Sequence, residues 1–110
     1  MTKVGEGKEF PKEPSIQKYH NQLDTNAIKF LNALDAYKEG TEDQKAHFRG
    51  VMEQSLGLIR SAVEEIKRPG ITKQESLVEK DYKSYMKDES SENLSKLEED
   101  LTTLRDYNKL

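Results

Sequence analysis

Few residues in this chain have types and spacings that suggest chemistry. His20 and His47 are the only histidines, and there is no cysteine. His20 flanks an apolar stripe beside Tyr19, the place of a boundary side chain, and no metal or catalytic role is expected of either histidine. A carboxylate-bridged dimetal bundle needs inward acids and a Glu-x-x-His motif on two helices. The acids of "VEEIKR" and "LEED" lie off their apolar stripes and are expected in solvent. No glycine-rich phosphate loop, Gly-x-Ser-x-Gly elbow or nucleophile beside a base is present. The serines of "DESSEN" suit a turn. Neither enzyme activity nor a cofactor is expected.

Two other patterns point to binding rather than reaction. Gly50 and Gly57 stand seven residues apart in "FRGVMEQSLGLIRS", on one face of a helix, where each costs about 1 kcal/mol relative to Ala. Ala46 and Ser61 extend that strip of small residues. Such a strip lets another helix of the chain come close, the favoured reading, or forms the floor of a partner groove. Tyr82, Tyr85 and Met86 are of types over-used at interfaces, and they also lie near an apolar stripe. Lys73, Lys80, Lys83 and Lys87 mark the outer face of the same segment, which is expected to be solvated.

The elements that position these residues follow from hydrophobic periodicity. After Pro14, with Ser15 as N-cap, Ile16, Tyr19, Leu23, Ala27, Phe30, Leu31, Leu34 and Tyr37 recur at steps of three and four. They predict a helix of roughly 25 residues, about 37 Å long, closed by a left-handed Gly40. Thr41 and Gln44 make a capping box for a second helix through Phe48, Met52, Leu56, Ile59, Val63 and Ile66. This one is expected to stop at "RPG". Two matched helices and a short loop give an antiparallel hairpin.

Thr72 and Glu75 read as a further capping box, opening a third helix through Leu77, Val78, Tyr82, Tyr85 and Met86. Continuing that phase would bury Glu89, Glu92, Lys96 and Glu99. The apolar residues are instead Leu94, Leu97, Leu101 and Leu104, about two positions out of phase. A turn at residues 88–91, with Ser90 or Ser91 as N-cap, resolves the slip. The expected fold is all-α: a small up-down bundle of four helices, two long and two shorter. Residues 15–110 form the bundle domain and 1–14 a flexible lead-in.

Composition narrows the role. Charged residues make up 35% of the 110, with a net charge of −3, so the clustered basic excess of a nucleic-acid binder is missing. No run is long and apolar enough for a signal peptide or membrane span. The absence of cysteine fits a cytoplasmic protein and does not exclude export.

The stretch "LGLIRSAVEEIKRPGITKQESLVEKDYKSYMKDESSENLSKLEEDLTTLRDYNKL", half of the chain, resembles a helical module of Dot/Icm (type IVB) secreted effector-like proteins of intracellular bacterial pathogens. That resemblance implies an uncleaved C-terminal translocation signal with an acidic block and delivery into a host cell. Glu98, Glu99 and Asp100 would be the block, and Tyr107 and Leu110 the apolar residues near the end. The chain departs from that pattern by setting its acids between regularly spaced leucines, which implies a structured helix.

Two roles therefore follow. The first is a non-enzymatic module that docks on a protein partner through Gly50, Gly57, Tyr82, Tyr85 and Met86, as a secreted effector where the resemblance holds. The alternative is a self-associating structural or regulatory protein, paired as a homodimer through the Leu94, Leu97, Leu101, Leu104 seam.

Overall fold

The computed structural model describes residues 12–109, with side chains from residue 16 onward. Four helices follow in order: α1 (Lys12–Lys38), α2 (Glu42–Ile66), α3 (Pro69–Lys87) and α4 (Ser91–Lys109). Among the described residues there is no strand. α1 packs along α2 and α3 along α4, while the α1–α4 and α2–α3 contacts are both thin. This is the expected up-down bundle. None of its helices is long and apolar enough to cross a membrane.

The stripes read from the sequence meet in one core. Leu23, Phe30, Leu34 and Tyr37 of α1 are fully buried, as are Met52 and Ile59, Val78, and Leu97, Leu101 and Leu104. Each such aliphatic or aromatic side chain contributes about 1.5–3 kcal/mol by leaving water. The diagonal of the bundle is aromatic. Phe30 meets Tyr82 edge-on at 5.8 Å between centroids, and Tyr37 meets Tyr85 at 6.2 Å. Tyr82 and Tyr85 are thus core residues, 6% and 4% exposed.

Helix ends follow local chemistry, in places differently from the sequence reading. α1 starts at Lys12, upstream of Ser15, because a proline in a first turn removes no intrahelical hydrogen bond. The lead-in assigned to 1–14 otherwise lies outside the described residues. Thr41 and Gln44 form the expected capping box, with Thr41 N donating to Gln44 Oε1 at 2.9 Å. Gly40 does not take a left-handed conformation. α1 closes instead with tight turns, Glu39 N to Ala36 O and Gly40 N to Tyr37 O, both 3.3 Å.

Lys67 carries the only positive φ among the described residues, 60°, and its N–H donates to Val63 O to cap α2. Arg68 is extended because a residue before proline is driven out of the helical region. Pro69 then starts α3 rather than merely stopping α2, and Gly70 lies inside α3. Thr72 is consequently no N-cap. Its hydroxyl donates to Arg68 O, and Glu75 is buried rather than reaching back to close a box. The α3–α4 break falls where the phase slip placed it. Ser90 caps α4, its Oγ accepting from Asn93 N at 3.2 Å.

Candidate functional site

The thin α2–α3 contact leaves a crevice between those helices. Two adjoining hollows of about 450 and 490 Å³ run along it and share Arg60, Glu79 and Lys83 in their walls. Leu56, Val63, Tyr82 and Met86 give it an apolar floor. These residues line the crevice because α2 and α3 each turn the edge of their apolar stripe toward the other. At that edge the Tyr82 hydroxyl donates to Glu53 Oε2 at 3.0 Å.

Charges border the floor. Arg60 donates from Nε and Nη2 to the two Glu79 oxygens, at 2.8 and 2.9 Å. That fork holds the Glu79 carboxyl below its ordinary range. Glu75, one turn before it, is 4% exposed and within hydrogen-bond reach of Glu79. Burial, then the adjacent Glu79 charge, push Glu75 up to about 8. Further along, Lys80, Lys83 and Lys87 are exposed, and among the described residues none is in an ion pair.

Both Glu79 oxygens accept from Arg60, and Glu75 Oε2 is sealed from solvent without a partner among the described residues. His20 uses Nδ1 in a 2.6 Å contact with Asn108 Oδ1. Asp24, one turn on from His20, accepts from Arg105 Nε at 2.8 Å instead of from the imidazole. Among the described residues no three His, Asp or Glu side chains converge as metal ligands.

Of the binding residues read from the sequence, Tyr82 and Met86 line the crevice, while Tyr85 points into the core against Tyr37. Gly50 and Gly57 do not join them. They lie on the face of α2 opposite Met52, Ile59 and Ala62, and a Cβ at either would meet nothing within 4 Å. The strip of small residues therefore admits no neighbouring helix, and close packing within the bundle, the favoured reading, does not occur.

In the C-terminal segment, Glu99 and Tyr107 are exposed. Glu98 and Asp100 are half-buried, against the expectation that the acids of "LEED" are solvated. Glu98 reaches Lys38 at 3.6 Å, and Asp100 faces the buried Asp81 of α3. Leu110 lies outside the described residues. Leu97, Leu101 and Leu104, offered above as a seam between chains, are spent inside one chain.

The buried acids Glu75 and Asp81 are the features that the reading of the residues missed. A signal existed for the first: Ile71, Glu75, Val78, Tyr82 and Tyr85 follow the helical steps four, three, four, three. Glu75 thus falls on the buried stripe by its own spacing. No family model, curated protein or solved structure gives a significant match to the chain.

Proposed function

We propose that this protein is a non-enzymatic docking module whose α2–α3 crevice takes an amphipathic helix of a protein partner. The observation that carries the reading is the hollow lined by Leu56, Tyr82 and the half-buried Met86, beside Lys80, Lys83 and Lys87, which are exposed and in no ion pair among the described residues. A helix laid in a groove places apolar anchors three, four and seven residues apart. Lysines spaced three and four along one rim favour an occupant whose flank is acidic, through complementary charge.

Two synthetic helical peptides test this, one with a leucine stripe flanked by Glu and one with the flank changed to Lys. The Glu-flanked peptide is expected to shift the NMR signals of Leu56, Tyr82 and Met86, and Lys83→Glu with Lys87→Glu to abolish that shift. Equal binding of both peptides, or shifts confined to another face, overturns the reading.

Delivery of this module into a host cell is the second part of the proposal. It rests on the resemblance of the C-terminal half to secreted effector-like proteins and on the exposure of Glu99 and Tyr107, which leaves them accessible to a secretion receptor.

A further inference from the structure

α3 carries a buried acid on each flank. Glu75, toward α2, is 4% exposed, and Asp81, toward α4, is 5% exposed. Each has one oxygen, Glu75 Oε2 and Asp81 Oδ2, shut away from solvent with no donor facing it among the described residues. An ionised carboxylate can only accept, and a buried acceptor without a donor is destabilising, the more so when charged. Both acids are in reach of a second acid, Glu79 for Glu75 and Asp100 for Asp81. Acid against acid satisfies neither side unless a proton sits between them. Protonated, Glu75 donates to Glu79 and Asp81 to Asp100, and the packing loses its contradiction.

We propose that two shared protons keep α3 seated between α2 and α4, and that it loosens from both neighbours as pH rises through neutrality. The Asp81–Asp100 proton bridges α3 to α4. The Glu75–Glu79 proton, within α3, lets Glu75 stay buried beside the Glu79 that binds Arg60 of α2. The surrounding charges do not replace those protons. On the α2 side Arg60 is committed to Glu79, and Glu64 adds a like charge. On the α4 side Lys96, with Lys80 on α3, offsets the Asp81 charge without supplying a hydrogen bond to its orphan oxygen. Loss of the protons leaves like charges in contact at sites sealed from water, which neighbouring helices relieve by separating.

Burial, ahead of the partner acid in each case, pushes Glu75 up to about 8 and Asp81 up to about 7. The sign follows. The folded chain keeps two protons that the unfolded chain releases near pH 4, so stability falls with rising pH between about 4 and 8. This seating of α3 does not depend on what the crevice binds.

The test is Glu75→Gln with Asp81→Asn, singly and together, since each amide donates to the partner acid as the protonated carboxyl does. For the wild-type chain the thermal midpoint is expected to fall by at least about 5 °C from pH 5 to pH 9. Amide exchange protection in α3 should drop more than about tenfold relative to α1, the factor of 1.4 kcal/mol. The double variant should keep both nearly constant, and each single variant should recover part. Carboxyl ¹³C titration of the wild-type chain gives a check that needs no variant, with two acids expected to titrate above pH 6. Ordinary titration of Glu75 and Asp81 near pH 4 overturns the proposal, as does a pH dependence that survives undiminished in the double variant.

Discussion

The Tyr37 hydroxyl donates a 2.6 Å hydrogen bond to Glu89 Oε2, tying the end of α1 to the turn between α3 and α4. Lys45 reaches the other Glu89 oxygen at 3.3 Å and lies 4.8 Å from the centre of the Tyr37 ring. One carboxylate therefore links both turns at this end of the bundle. The Tyr37 bond first, then Lys45, hold the Glu89 carboxyl below its ordinary range.

Tyr37→Phe keeps the buried ring and removes only the hydroxyl. Its cost should be about 1 kcal/mol, below the roughly 1.5–3 kcal/mol of a bond to a charged group because the Glu89 side chain is 38% exposed. The thermal midpoint should drop by roughly 4–8 °C at neutral pH. A lowered carboxyl pKa gives stability that is present above the unfolded value and lost as pH falls through the folded one. The wild-type and Tyr37→Phe midpoints should accordingly converge below about pH 4.

The three glycines of the first hairpin should respond in opposite directions to alanine. At Gly50 and Gly57 a Cβ meets nothing within 4 Å, in mid-helix, so Gly50→Ala and Gly57→Ala should each stabilise by about 0.5–1 kcal/mol. At Gly40 a Cβ would stand 3.0 Å from Gln44 Cβ and 3.2 Å from Ala36 O. Gly40→Ala should destabilise by about 1 kcal/mol, through crowding of the capping box rather than through φ. Urea unfolding of the three variants reads all of this from shifts in the midpoint.

What the sequence revealed and what it hid divide along one physical line. Periodicity integrates over many residues, so the four stripes, the phase slip before Leu94 and the burial of Leu97, Leu101 and Leu104 were legible. Local end signals were less so, because one residue can serve two geometries. Pro69 stops α2 and starts α3, and Thr72 with Glu75 has the spacing of a box while Glu75 also keeps the step of the buried stripe. The side that a strip of glycines faces depends on the rest of its helix: Met52, Ile59 and Ala62 already claim the core side of α2. The crevice depends on how far α2 stands from α3, a tertiary distance to which no residue pattern corresponds.

Glu75 and Glu79, one helical turn apart, should respond to pH with opposite signs. Glu79 is held low by Arg60, so its contribution is present at neutral pH and lost as pH falls below about 4. Glu79→Gln should cost about 0.5–1 kcal/mol at pH 7, kept small because the Arg60 side chain is 55% exposed. Glu75→Gln should leave stability at pH 7 unchanged or raise it, since the acid it replaces already holds its proton. Equal losses from the two substitutions in denaturant titrations at pH 7 would refute the assignment of the proton to Glu75.

A C-terminal translocation signal is usually sought by deletion, and in this chain deletion cannot find it. The last turns of α4 carry Leu101 and Leu104, both fully buried, together with Arg105 bound to Asp24 and Asn108 bound to His20. A buried leucine truncated even to alanine costs about 2–5 kcal/mol, so losing both consumes most of the roughly 5–15 kcal/mol that holds a domain together. A shortened chain that fails to be delivered is indistinguishable in such a reporter from one that failed to fold. Glu99→Ala changes an exposed side chain on the solvent side of α4, and Tyr107→Phe keeps the ring that rests 40% exposed beside Pro69 and Ile71 while removing its hydroxyl. The double variant should keep its helical circular dichroism and thermal midpoint within about 2 °C, as surface changes do. In a translocation reporter, delivery should fall several-fold if these residues are the address. Delivery equal to the wild-type chain assigns Glu99 to solvation alone.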